Sequence, residues 1–372
     1  MMREQIKKHF INLRGKNLKE RILVIESDDW GAIRIPDQAT QSELICSALI
    51  QKENPFSKYD CLESTEDYQA LYEVLGKFKD CKGNSPVLTA NMVMANPDFH
   101  SIELSKFQEY TYEHFSKTYQ SYYPSLNTFQ ALKEGIENGC IYPQFHAREH
   151  LNVQRWMDKL SSGDPAFRRA FELKCFAIDD VDNSNQRENL MATYDYESAT
   201  ELKSIQKGIE EGLQLFQETF GSASRTHIAP CYVWNEFIEK FAHANGVYGI
   251  QGSKFQQYKD PGFEKHKRIW RYMGQTNERN QIYTIRNVLF EPALNHRIGW
   301  VDKAMESIAI AFFWQKPAII GSHRINYVGG LSEANRTNTL IQLNELLGRV
   351  LKKWPNVQFL NSAQLTEKLR LA

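Results

Sequence analysis

The sequence predicts an α/β fold organised around a parallel sheet. Three features carry that expectation. Residues 21–25 (RILVI) form a short continuous apolar run, the signature of a strand buried on both faces. Such runs alternate along the chain with segments whose apolar residues recur at helical spacing, as in βα repeats. Each polar cluster that stands out follows a strand candidate, and in barrels that edge is where catalytic groups gather.

Taken in order, RILVI ends in Glu26-Ser27-Asp28-Asp29 and is followed by Trp30-Gly31, where glycine permits a tight turn close to a ligand. Over 67–79, Tyr68, Leu71, Tyr72, Leu75 and Phe78 share one helical face, with Ser64 or Thr65 as N-cap. PVLTANMVMAN (86–96) is the next strand. A helix over about 128–138 stops at Asn138-Gly139, and IYPQF (141–145) leads into His146. Leu202, Ile205, Ile209, Leu213 and Phe216 trace an amphipathic helix ahead of the strand and turn RTHIAP (225–230). A helix over 235–244 and the strand VYGIQGS follow, then the strand-like segments RIWRYM and QIYTIRNVLF. The helix around 301–314 precedes PAIIGSHR (317–324). A long helix with Leu343, Leu346, Leu347, Val350 and Leu351 comes next, and VQFL (357–360) and a short helix close the chain.

Composition narrows the functional classes. The 45 basic and 45 acidic residues balance, so no global field points to nucleic acid or an anionic membrane surface. No run of basic residues interleaved with aromatics is present, and no segment is long and apolar enough to span a bilayer. The start, MMREQIKKHFINLRGKN, lacks the apolar centre of an export signal. A cytoplasmic protein with reduced, mostly buried thiols is therefore expected of its six cysteines.

Two histidines four residues apart, His146 and His150, and the acid pair Asp28-Asp29 are the most informative residues. One carboxylate and two imidazoles form a three-ligand set with an open position, as catalytic zinc sites use. The second carboxylate is then free to handle a proton. Histidines at i and i+4 can share a helical face and grip one ion. His323, after PAIIGS, can donate a proton to a leaving group, with Arg324, Asn326 and Tyr327 beside it suited to substrate groups or loop anchoring. Arg225, His227, Pro230, Tyr232 and Trp234 cluster after another strand, where Tyr232 and its amide could serve an oxyanion. Arg286, Asn287 and Glu291 form a weaker group with no role beyond positioning.

These residues in this order resemble the polysaccharide deacetylase superfamily, the nodulation-type carbohydrate esterases of family four. SDDWG (27–31) is similar to the first motif, T-F-D-D-G, which implies that Asp28 is the catalytic base and Asp29 a metal ligand. His146 and His150 match the two histidines of H-[ST]-x-x-H, with Ala147 in place of the hydroxyl residue. RTHIAPCYVWN (225–235) is loosely similar to a substrate-groove motif, and IGSH (320–323) resembles the segment that would make His323 the general acid. Together with SHRINYVGG, the motifs resemble a divergent bacterial polysaccharide (de)acetylase subgroup.

The resemblance implies a distorted seven-stranded β/α barrel as one domain over 1–372. Extra segments around 40–80, 100–130 and 155–200 are read as helical decoration over the catalytic face. It implies a divalent metal, zinc foremost, on Asp29, His146 and His150. The activity implied is hydrolytic removal of N- or O-acetyl groups from a cell-surface glycan or its precursor. Trp30, Arg225, Tyr232, Trp234, Arg324 and Asn326 are the expected substrate contacts. The family's motif for an arginine or tryptophan that orients the base has no evident counterpart.

Two other readings compete. HAREH also fits the inverted zinc-protease signature, with Glu149 as base and Glu210 or Glu211 as third ligand, although Pro143 argues for a strand end there. A carbohydrate-binding protein that keeps the barrel without turnover is the other.

Overall fold

The computed structural model describes residues 2–179, 190–258 and 267–372. The first strands are β1 (Ile22–Trp30), β2 (Leu88–Val93), β3 (Ala95–Pro97), β4 (Tyr112–His114), β5 (Ile141–Ala147), β6 (Thr226–Ile228) and β7 (Gly249–Gly252). They are followed by β8 (Phe255–Tyr258), β9 (Lys267–Trp270), β10 (Ile282–Ile285), β11 (Val288–Leu289), β12 (Ala318–His323) and β13 (Gln358–Phe359).

The main sheet runs β10-β7-β6-β5-β2-β1-β12-β11, and every neighbouring pair is parallel. Only Arg286 and Asn287 separate β10 from β11, so the two edges of this path belong to one stretch of chain. Its first half pairs with β7 and its second half with β12. The sheet thus closes on itself through a split strand. Counted this way, seven staves form the distorted β/α barrel among the described residues. Closure explains how strands this apolar are kept from exposing an edge.

The helix Thr65–Leu75 starts with a capping box between Ser64 and Asp67 and packs against the helices Thr128–Glu137 and Glu333–Lys353 on the barrel's outside. The latter half of 40–80 is therefore a crossover helix of the barrel and not decoration. Residues near Asn54, Phe56, Phe176 and Leu190 do roof the carboxyl ends of the strands, above smaller apolar clusters around Trp156 and Leu44. RIWRYM does not enter the barrel: β9 pairs antiparallel with β8 outside the main sheet. The final helix, Ser362–Leu371, contacts β1, β6, β7 and β10, and Ser362 Oγ donates to Glu26 within the barrel. Cys61 and Cys175 are buried, whereas Cys46 and Cys81 are exposed, so burial holds for fewer of the cysteines than expected. No helix among the described residues is long and apolar enough to cross a membrane.

Candidate metal centre

Two irregularities in the sheet build the site. Successive residues of a regular strand face opposite sides, so Asp28 and Asp29 ought to diverge. On β1, however, Ser27 pairs with Ala90 and Trp30 with Met92, which leaves Asp28 and Asp29 opposite Asn91 alone. This extra residue is a β-bulge, and Asp29 takes a left-handed backbone, φ 75°. The bulge turns both carboxylates into one cavity. On β5, Phe145 pairs with Met92 and Ala147 with Val93, so His146 is likewise the additional residue. His150 lies in the loop beyond. The pair is thus held by a strand end and a loop, which corrects the helical-face expectation.

Asp29 Oδ1 stands 3.4 Å from His146 Nε2 and 3.4 Å from His150 Nε2. Ligand atoms of the three residues all lie within 4.8 Å of one another. Asp29 Oδ1 is buried without a hydrogen-bond partner, an arrangement that costs free energy unless a cation or donor meets it. A tetrahedral ion with bonds of about 2.0–2.2 Å holds its ligands about 3.3–3.6 Å apart, so the observed spacing fits one. The Nδ1 of His146 lies 2.8 Å from the carbonyl of Ile228, which fixes that nitrogen as the N–H and leaves Nε2 as the electron-pair donor. Burial pushes His150 down to about 4, helped by His146 and opposed by Asp29, so it is neutral and competent to ligate near neutral pH.

Asp28 points to a different set of partners. Its carboxylate accepts from Arg286 Nη1 at 2.6 Å and Nη2 at 2.7 Å, and from Asn91 Nδ2 at 2.8 Å. Burial opposes its charge, but Arg286 overrides burial and holds the carboxyl at about 2. Arg286 Nε also donates to buried Glu26 at 2.8 Å. Arg286 therefore fixes the orientation of the Asp28 carboxylate. Its signal was its place after QIYTI, where the other polar clusters also sit.

His323 is in direct register with Asp28 across β1 and β12. Its Nε2 lies 3.9 Å from Asp28 Oδ2, while Nδ1 donates to Glu291 at 2.6 Å. Burial lowers this imidazole's pKa, yet Glu291, then Asp29 and Asp28, raise it to about 10. The ring therefore carries a proton on Nε2, facing the cavity. Glu291 thus fixes the His323 ring as Arg286 fixes the Asp28 carboxylate.

The cavity, about 340 Å³, is lined by Asp28, Asp29, His146, His150, Tyr232 and His323 among others. Of the expected substrate contacts, Tyr232 and Arg324 border it. Arg324 is fully buried and donates to Asp60 and Glu63, so its fork is already filled. The Tyr232 amide donates to the Ala229 carbonyl at 3.0 Å, which removes it as an oxyanion donor. The Tyr232 hydroxyl accepts from Arg286 Nη1 at 3.4 Å and keeps its own proton for a ligand.

The remaining four assignments are corrected by packing. Trp30 is fully buried between Tyr68 and Tyr327 and donates to Ser27. Trp234 is buried and donates to Glu239. Asn326 is buried and bonds Glu291 and the Ala293 amide. Arg225 precedes β6, at the opposite end of the barrel, over the Tyr248 ring. His227 is buried beside Phe145 and Tyr194. Asn287 is structural, bonding Asn12, the Pro317 carbonyl and the Ile319 amide. The protease reading loses its base, because Glu149 pairs with Arg148 at 2.6 Å and lines a separate cavity.

No protein-family profile and no curated protein matches the chain. Solved structures do. The chain is similar to a variant of peptidoglycan deacetylase PdaC from Bacillus subtilis, with 10% identity over 95% of this chain and 93% of that one, TM-score 0.37. It is similar to the Xyl-CE4 domain of a multidomain xylanase from the hindgut metagenome of Trinervitermes trinervoides, with 11% identity over 94% and 91%, TM-score 0.36. A 4-alpha-glucanotransferase from Thermococcus litoralis matches with 8% identity over 94% of this chain, TM-score 0.46, and the chain spans 41% of its length.

Proposed function

We propose that this chain is a metal-dependent hydrolase that removes N- or O-acetyl groups from a carbohydrate of a cell-surface glycan or its precursor. One observation carries the reading: two consecutive aspartates enter one cavity, Asp29 toward two imidazoles and Asp28 toward an arginine and a third imidazole. A divalent cation, zinc in this proposal, would be held by Asp29, His146 and His150. When bound it supplies Lewis acidity for the acetyl carbonyl and the attacking water.

The chain's own groups handle the protons. Asp28, ionised and fixed by Arg286, accepts a proton from water as the water oxygen bonds to the acetyl carbon. The Tyr232 hydroxyl donates to the acetyl oxygen as charge develops there. His323 Nε2 gives its proton to the leaving nitrogen or oxygen as the bond to the acetyl carbon breaks, releasing acetate and the free amine or alcohol. Asp28 Oδ2 and His323 Nε2 are 3.9 Å apart, so the proton taken up by Asp28 returns to His323 through an intervening water, which restores the starting state.

The test is acetate release by the metal-loaded protein from a panel of N- and O-acetylated sugars. Asp28→Asn is expected to lower turnover by about 100-fold or more while metal is retained. Bound metal with no acetate released from any sugar would point instead to a binding protein on the same fold.

A further inference from the structure

We infer that the cavity selects an acetylated sugar bearing an oxyanion, a carboxylate or a phosphate, and that Arg34 receives it. This rests on the deacetylase reading for the acetyl group, but the anion preference stands on its own observations. Arg34 lines the same cavity as Asp29 and His150. Its backbone neighbourhood is pinned: Gly31 N–H donates to Glu63, Ile33 N–H to Asn96, and Arg324 donates to the Ala32 carbonyl. The guanidinium lies over the Phe56 ring, 5.4 Å from its centroid.

What it lacks among the described residues is an oxygen acceptor. Among the described residues no carboxylate pairs with Arg34, and its Nε is buried without a hydrogen-bond partner. Its one hydrogen bond is from Nη1 to the Met191 sulfur at 3.4 Å, a weak acceptor. Two described acids that line the cavity with it, Asp60 and Asp179, are bonded to other groups. Asp60 accepts from Arg324 at 2.9 Å, and Asp179 accepts from Asn54, Ser57 and the Gln51 amide. A partly desolvated guanidinium over an aromatic ring, with no oxygen acceptor on its fork among the described residues, is matched by a bidentate oxyanion. A neutral sugar hydroxyl fills that fork less well, which sets the expected preference at about 10- to 100-fold.

The experiment measures binding and turnover separately on the full chain. Calorimetry compares N-acetylmuramic acid (a carboxylate), N-acetylglucosamine 1-phosphate and neutral N-acetylglucosamine, with the parent, Arg34→Gln and Arg34→Lys. The parent is expected to bind at least one anionic sugar about 10- to 100-fold more tightly than the neutral one. Arg34→Gln collapses that ratio toward unity, and Arg34→Lys keeps part of it by charge without the fork. Which anionic sugar wins separates a carboxylate from a phosphate as the recognised group. Equal affinities in the parent, a ratio unchanged by both substitutions, or no binding of either anionic sugar overturns the inference. Preferential anion binding without acetate release upholds Arg34 and defeats the deacetylase reading. Acetate release without anion preference does the reverse.

Discussion

Replacing Arg286 by methionine tests how the candidate base is built. Arg286 is enclosed in the barrel with 5% of its side chain exposed, and it serves two carboxylates that are themselves buried, Glu26 and Asp28. Methionine fills much of the volume but leaves both acids without their cation. Ser362 still donates to Glu26 and Asn91 to Asp28, while His323 at 3.9 Å is beyond hydrogen-bond reach of Asp28. Breaking a buried ion pair by removing one partner costs roughly 3–5 kcal/mol.

The loss has a pH signature. In the parent, Asp28 is held at about 2, below its unfolded value. Its contribution is therefore present above the unfolded value and lost as pH falls through about 2. In the variant, burial acts without Arg286: it raises Asp28 above its unfolded value and drives Glu26, which burial already holds above its ordinary value in the parent, further up. Their protonated forms are then favoured in the fold, and stability is lost as pH rises through the raised values. Urea unfolding followed by circular dichroism is expected to show a larger deficit at about pH 8 than at about pH 5. A deficit below about 1 kcal/mol, or one equal at both pH values, would refute this account of the barrel's polar interior.

Glu291→Gln removes the leading charge that keeps the His323 ring protonated. Because the parent's raised pKa, about 10, is lost, the variant's ring should shed its proton below about pH 8, read by nitrogen-15 shifts of the imidazole. The parent's ion pair stabilises the fold below the unfolded histidine value and fades as pH rises through about 10. Gly321→Ala would place a Cβ 2.6 Å from Cδ of Arg286, whose guanidinium is pinned at three points. Overpacking of this kind costs about 1–3 kcal/mol, seen as a lower melting temperature, and a melting temperature equal to the parent's would count against the tight packing described.

The sequence made the parallel α/β pattern legible because its strands are apolar on both faces and its polar clusters sit at strand ends. Asp28, Asp29, His146, His150 and His323 could be named for the same reason. What could not be read was orientation. The bulges at Asp28-Asp29 and at His146 are register shifts between partners distant in sequence, and no local spacing encodes them. Trp30 was an expected substrate contact but faces Tyr68 and Tyr327, since the bulge that turns the acids into the cavity leaves the indole in the core. Arg286 and Glu291 were visible only as charges after a strand. Their importance came from barrel closure, which brings residues 258 and 32 positions away beside them. The segment QIYTIRNVLF read as one strand, and its two halves serve both neighbours of the closing seam.

The central claim is that Asp29, His146 and His150 together hold one divalent cation. Zinc calorimetry on the chelator-stripped full chain tests it most directly, comparing the parent with Asp29→Asn, His146→Ala and Asp28→Asn. One equivalent should bind to the parent and to Asp28→Asn, with affinity falling in the first two variants by more than the about 10- to 100-fold that loss of an outer-shell partner costs. Zinc affinity in Asp29→Asn equal to that of the parent would contradict the claim.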